Sequence, residues 1–222
     1  MALHTPCSRF PTALTPCRVV LLLMTAVTPA AAQDPGPIGR FVIDVRGSFV
    51  SVGQDAVLAA NRGLGPGQLA GSGLGLDIGG HVYLFRWRSI TFGVGSSALF
   101  TSPSRSPGPD DPDPNGPTVT TRFTAYSPQL SFNFGDGDGW SYLSGGLGTS
   151  RMSVFVDDGD QPEQRRARTL NYGGGARWFI KPRLAFSFDV RLFAISPLEQ
   201  TNTEPGSPRM TRVAVSVGMS IK

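Results

Sequence analysis

The chain has 222 residues, of which 16% are charged and 40% hydrophobic, with 28 glycines, 14 phenylalanines and a net charge of +4. That length suits a single domain. No apolar run reaches the about 18 residues that mark a membrane-spanning helix, and no basic stripe interleaved with aromatics marks a nucleic-acid surface.

At the N-terminus, Arg9 and Arg18 precede an apolar run from Val19 to Val27, and Ala30-Ala31-Ala32 follows. A basic n-region, a short h-region and an A-x-A site predict a secretory signal peptide over 1–32, cut after Ala32. The apolar run is about half the ~20 residues needed to cross a bilayer, which disfavours an anchor. Cleavage removes both cysteines, Cys7 and Cys17, together with His4. It leaves 18 basic side chains, 20 less Arg9 and Arg18, against 16 acidic ones, or +2. The mature chain then holds no thiol for a disulfide or a cysteine-based site. Residues 33–40 form a short leader, and 41–222 carry the domain.

Period-two alternation marks eight strands, at 41–53, 71–86, 89–101, 118–134, 140–155, 168–180, 184–195 and 210–222. Helical spacing is confined to Gln54–Gly63, enough for a turn or two. The connections alternate in length. Segments 54–70, 102–117, 156–167 and 196–209 are long, whereas 86–88, 135–139 and 181–183 are tight turns. An up-and-down sheet gathers its odd connections at one end and its even ones at the other. Short turns at one end and long loops at the other are the signature of a transmembrane barrel. The expected fold is therefore all-β: an eight-stranded antiparallel up-and-down transmembrane β-barrel with short periplasmic turns and long external loops. Its last strand should pair with its first. Pro128 falls inside the fourth strand, where Phe123 and the Leu130–Phe132–Phe134 series differ in parity, and a bulge at Pro128 would reconcile them.

Each strand has one apolar and one small or polar face. Leu184, Phe186, Phe188, Val190 and Leu192 oppose Ala185, Ser187, Asp189 and Arg191, and Val213, Val215, Val217, Met219 and Ile221 repeat the pattern. The polar faces are poor in Lys and Glu, which coat soluble proteins, and rich in Gly, Ala and Ser. Their charges nearly balance: Asp44, Asp77 and Asp189 against Arg46, Arg177 and Arg191, with His81 nearby. That predicts a compensated lumen network, because buried charges need partners, and an apolar exterior against lipid. Trp87, Trp140, Tyr142 and Trp178 lie beside the tight turns and are expected as interface aromatics at headgroup level. Phe49, Phe100, Phe123 and Phe193 suggest a second belt.

These features resemble the small outer-membrane β-barrel family of Gram-negative bacteria, which includes the OmpA transmembrane domain, OmpX and OmpW-type proteins. The resemblance spans the mature chain. It is carried by Asn171–Phe193, by Ser127–Gly135 and by the terminal VAVSVGMSIK. Family members commonly end on an aromatic residue, where this chain has Ile221 and Lys222. The resemblance implies a cell outer-membrane location with the lipid bilayer as principal partner; a monomer is expected, although the sequence itself names no oligomeric state.

Some barrels of that family modify lipid A with Ser, His and an acid. Here His81 is the one histidine of the mature chain, its parity places it in the lumen, and Asp77 lies too far along the strand for a direct bond, so no catalytic residue is assigned. DPDPNG at 111–116 begins like a calcium loop, but Arg122 stands where the bidentate Glu belongs. Asp110, Asp111 and Asp113, or Asp157, Asp158 and Asp160, could form only a weak divalent site. No metal or cofactor is expected. Three functions stay open: envelope structure or surface interaction through loops 102–117 and 156–167, a narrow pore for small or apolar solutes, and a lipid-modifying enzyme.

Overall fold

The computed structural model describes residues 36–111, 114–156 and 163–222. The signal peptide and its cleavage point at Ala32 lie outside the described residues. Eight long strands follow in order: β1 (Phe41–Ser51), β2 (Ser72–Trp87), β3 (Ile90–Thr101), β4 (Val119–Asp136), β5 (Gly139–Val156), β6 (Ala167–Lys181), β7 (Leu184–Ile195) and β8 (Met210–Ile221). Each pairs antiparallel with its neighbours. β8 pairs with β1 from Ile43–Ile221 to Ser51–Val213, and β3 pairs with β4 from Ile90–Phe134 to Thr101–Phe123. The sheet is thus a closed ring. The reason is chemical: an open edge in hydrocarbon would leave rows of N–H and C=O groups without partners.

The alternation reads directly into burial. Along β1, Phe41, Ile43, Val45 and Phe49 face out, while Val42, Asp44, Arg46, Ser48 and Val50 are buried. The ladders are regular except for register shifts at Leu84 and Ile180, both beside tight turns. The bulge expected at Pro128 does not form. Pairing of β4 with β5 lapses over Ser127–Gln129 and resumes in the same register, Tyr126 opposite Thr149 and Leu130 opposite Gly145. Pro128 lacks a donor, so it interrupts the hydrogen bonds without inserting a residue. Phe123 keeps its inward parity and is fully buried.

The four long connections are L1 (52–71), L2 (102–118), L3 (157–166) and L4 (196–209). L1 folds over the mouth of the barrel. Its helix α1 (Ala56–Ala60) is capped by Asp55, whose carboxylate accepts from the Leu58 N–H at 2.9 Å, and Gly63 ends the turn at φ 69°. Leu58, Ala59 and Leu69 of this lid are buried on Val50, Leu99, Phe123, Met152, Phe193 and Met210. Phe123 and Phe193 meet edge to face at 5.9 Å, so they belong to this internal plug and not to an outer belt. At the opposite, short-turn end, Ile38 of the leader packs with Val42, Trp140 and Tyr142. The leader is held there by hydrogen bonds from Tyr83 N–H to Arg40 O at 2.9 Å and from Gly137 N–H to Gly36 O at 2.7 Å.

Candidate functional site

Between the two apolar stoppers the lumen is polar. β1 presents Asp44, Arg46 and Ser48 inward, β6 presents Asn171 and Arg177, and β7 presents Ser187, Asp189 and Arg191, all buried. Arg177 grips Asp44 with two bonds, Nε to Oδ1 at 2.8 Å and Nη2 to Oδ2 at 2.6 Å. Arg46 bridges Asp44 and Asp77, each at 2.8 Å. Its Nη2 also donates to the Tyr142 hydroxyl at 3.1 Å, and its Nε to Ser187 Oγ at 3.2 Å. Tyr142 donates to Asp189 Oδ2 at 2.7 Å, and Asp189 accepts two bonds from Arg191 at 3.1 and 3.0 Å. Arg191 continues to Ser144 and Asn171, while Ser220 donates to Asp44.

Three carboxylates and three guanidinium groups therefore neutralise one another in one connected web. Arg177 additionally lies 4.0 Å above the Tyr142 ring, a cation–π contact strengthened by exclusion of water. Forked Arg–carboxylate geometry offsets the desolvation that such burial costs.

The remaining candidates divide. His81 is buried on the lumen side, and neither ring nitrogen has a hydrogen-bond partner among the described residues. Trp87 and Trp178 face outward, 60% and 53% exposed. Trp140 and Tyr142 do not: both are sealed inside, which corrects the interface position expected for them. The cause is parity. Trp140, Tyr142 and Ser144 share the inner face of β5, while Ser141, Leu143 and Leu147 share the outer one. Trp140 stacks on Phe179 at 5.0 Å and meets Tyr83 edge-on at 5.8 Å. Tyr142 is the hub that joins the two halves of the charge web. Sequence reasoning missed that role, although its phase with Ser144 carries the signal.

The loops are cross-tied above the mouth. Arg62 of L1 makes a forked pair with Glu163 of L3, both bonds at 2.6 Å, and donates to Ser207 of L4 at 3.3 Å. Asn61 donates to the Gly206 carbonyl at 3.0 Å. Of the loop acids considered for a cation, Asp111 is engaged by Arg105 at 2.8 and 3.1 Å and caps the Gly108 N–H at 2.6 Å. Asp113, Asp157, Asp158 and Asp160 lie outside the described residues. A groove of about 370 Å³ opens between L1 and L2, lined by Pro66, Gln68, Arg105, Pro107, Asp111 and Pro117.

No family model and no curated protein matches the chain. Solved structures do. Neisserial surface protein A aligns with 83% of this chain and 97% of its own, at 15% identity and a TM-score of 0.53. The attachment invasion locus protein Ail of Yersinia pestis, in complex with the heparin analogue sucrose octasulfate, aligns with 82% of this chain and 95% of its own, at 15% identity and a TM-score of 0.46. The outer-membrane enzyme PagL aligns with 82% and 99% at 14% identity and a TM-score of 0.42. At these identities the likeness to Neisserial surface protein A speaks for the fold alone: the chain is a closed eight-stranded antiparallel barrel of the small outer-membrane type.

Proposed function

We propose that the chain is a monomeric outer-membrane barrel with its long loops outward, acting in envelope structure or surface interaction through those loops. The observation that carries this is the filled interior. A lid rests on an apolar plug, a neutralised charge web lies below it, and an aromatic stopper closes the far end. An eight-stranded barrel has room only for its own side chains. Loops on a rigid scaffold carry binding, and L2, L3 and the groove beside L1 are the surfaces assigned to partners.

The same filling argues against a pore. In planar bilayers the folded protein is expected to give no steady conductance; steady channels that a lumen-filling substitution abolishes would overturn the proposal. It also argues against catalysis on lipid, since His81 is sealed inside the wall and an acyl substrate would lie outside it. Lipid A hydrolysis by the purified protein, lost in His81→Ala, would reverse that reading. The outer-membrane assignment is tested by gel mobility before and after boiling: a closed barrel shifts, and unchanged mobility would sink it.

A further inference from the structure

The outer wall of β4, β5 and β6 carries arginines at its long-loop end, where the alternation otherwise sets apolar side chains. Arg122, Arg151 and Arg168 have the parity of Tyr126, Leu147 and Leu170 on the same strands, and Arg166 precedes β6 in the same phase. Arg151 lies opposite Thr124, and Arg168 opposite Thr149; extending the β5–β6 register one residue past Ser150–Ala167 sets Arg166 beside Arg151. Four cations thus share one patch of barrel wall. Immediately below it the apolar belt begins, with Tyr126, Leu147 and Leu170 between 45% and 74% exposed.

A groove of about 370 Å³ opens in this patch, bounded by Phe100, Thr124, Tyr126, Thr149, Arg151 and Arg166. Small side chains, Ala98, Thr124, Thr149 and Ser150, are among its lining and leave the space open. Three loop arginines have acids: Arg62 has Glu163, Arg105 has Asp111 and Arg165 has Glu204. Among the described residues, no carboxylate forms an ion pair with Arg122, Arg151, Arg166 or Arg168. The Arg151 Nε is shielded from solvent and has no hydrogen-bond partner there. Arg122 is held 4.9 Å above the Phe155 ring, which fixes its direction without neutralising it.

Cations on a lipid-facing wall are costly at the bilayer centre and cheap at headgroup level, where phosphates lie. A guanidinium fork matches phosphate oxygens two at a time. The belt under the groove gives acyl chains a surface to lie on. We propose, resting on the outward orientation of the long loops given above, that this groove binds the phosphate of a phosphorylated lipid in the outer leaflet, with Arg151 and Arg166 gripping it and Arg122 and Arg168 flanking.

The test uses the full folded chain in phosphatidylcholine vesicles doped either with lipid A, a phosphorylated glycolipid, or with the same glycolipid stripped of phosphate. The protein is extracted in mild detergent and its retained lipid counted by native mass spectrometry. Lipid A should be retained about tenfold over the stripped form, and R151Q/R166Q should bring that ratio close to one with the boiling shift intact. Equal retention of the two lipids by the folded native protein overturns the proposal, whatever the variant does. Inorganic phosphate bound as tightly in lipid-free detergent would assign the groove to a free anion and likewise overturn it. A chain that neither inserts nor shifts on boiling would instead bring down the outer-membrane reading on which the proposal stands.

Discussion

The side chain that decides most inside this barrel is Arg46. It touches Asp44, Asp77, Tyr142 and Ser187 at once. Removing it would leave Asp77 without its one ion-pair partner among the described residues, and Asp44 with Arg177 as its remaining cation there. Stranding a buried charge in this way costs about 3–5 kcal/mol. Arg46→Ala should therefore lower unfolding stability in vesicles by that amount, as followed by urea titration. Tyr142→Phe is gentler. Asp189 keeps Arg191 and Arg46 keeps Asp44, so the loss should be about 1–2 kcal/mol, the value of lost hydrogen bonds to charged groups. Equal effects from the two variants would mean the web is not organised around Arg46. On the outer wall, Val190→Arg near mid-span should cost about 2–4 kcal/mol. Val57→Arg on the exposed face of α1, outside the bilayer, should cost almost nothing. Matching costs would remove the lipid from the account.

Elements were legible in the sequence to the extent that their two faces differ in chemistry. β1, β7 and β8 separate cleanly into apolar and polar sides, and the structure bounds them within two residues of the alternation. β4 and β5 blur the code because aromatic side chains appear on both faces. Phe123, Trp140 and Tyr142 are inward for packing and hydrogen bonding, while Tyr126, Phe132 and Phe134 are outward for lipid. Aromatic identity alone therefore misplaced Trp140 and Tyr142, where counting residues from Ser144 would have placed them. The L1 lid was legible only as a short helix, since its burial depends on a mouth assembled from strands distant in sequence. β6 shows how a strand makes room for the web. A Cβ on Gly175 would press on the Phe188 carbonyl and stand 2.8 Å from the Tyr142 hydroxyl. Gly175→Val should overpack this wall, costing about 1–3 kcal/mol in the same urea titration. A neutral outcome would show that the β6–β7 backbone and Tyr142 can both give way.

For the whole molecule, closure joins residues far apart in the chain, as in the pairing of β1 with β8 and the Arg46–Ser187 bond. Such contact order predicts slow folding. The clasp of Arg62 with Glu163 and Ser207 then locks three loops over the finished ring. Arg62→Ala should leave the boiling shift unchanged but speed cleavage within L1 by an added protease. Unchanged cleavage would show that the apolar plug alone holds the lid.

L2 stands outside that clasp. Hydrogen bonds within its own stem join Ser104 to Thr120, Ser106 to Thr118, and Arg105 to Asp111. The molecule has thus separated the parts that hold it shut from a part that can be rewritten. A foreign epitope spliced between Pro107 and Gly116 would be shown to antibodies on intact cells while the stave-work beneath stayed undisturbed.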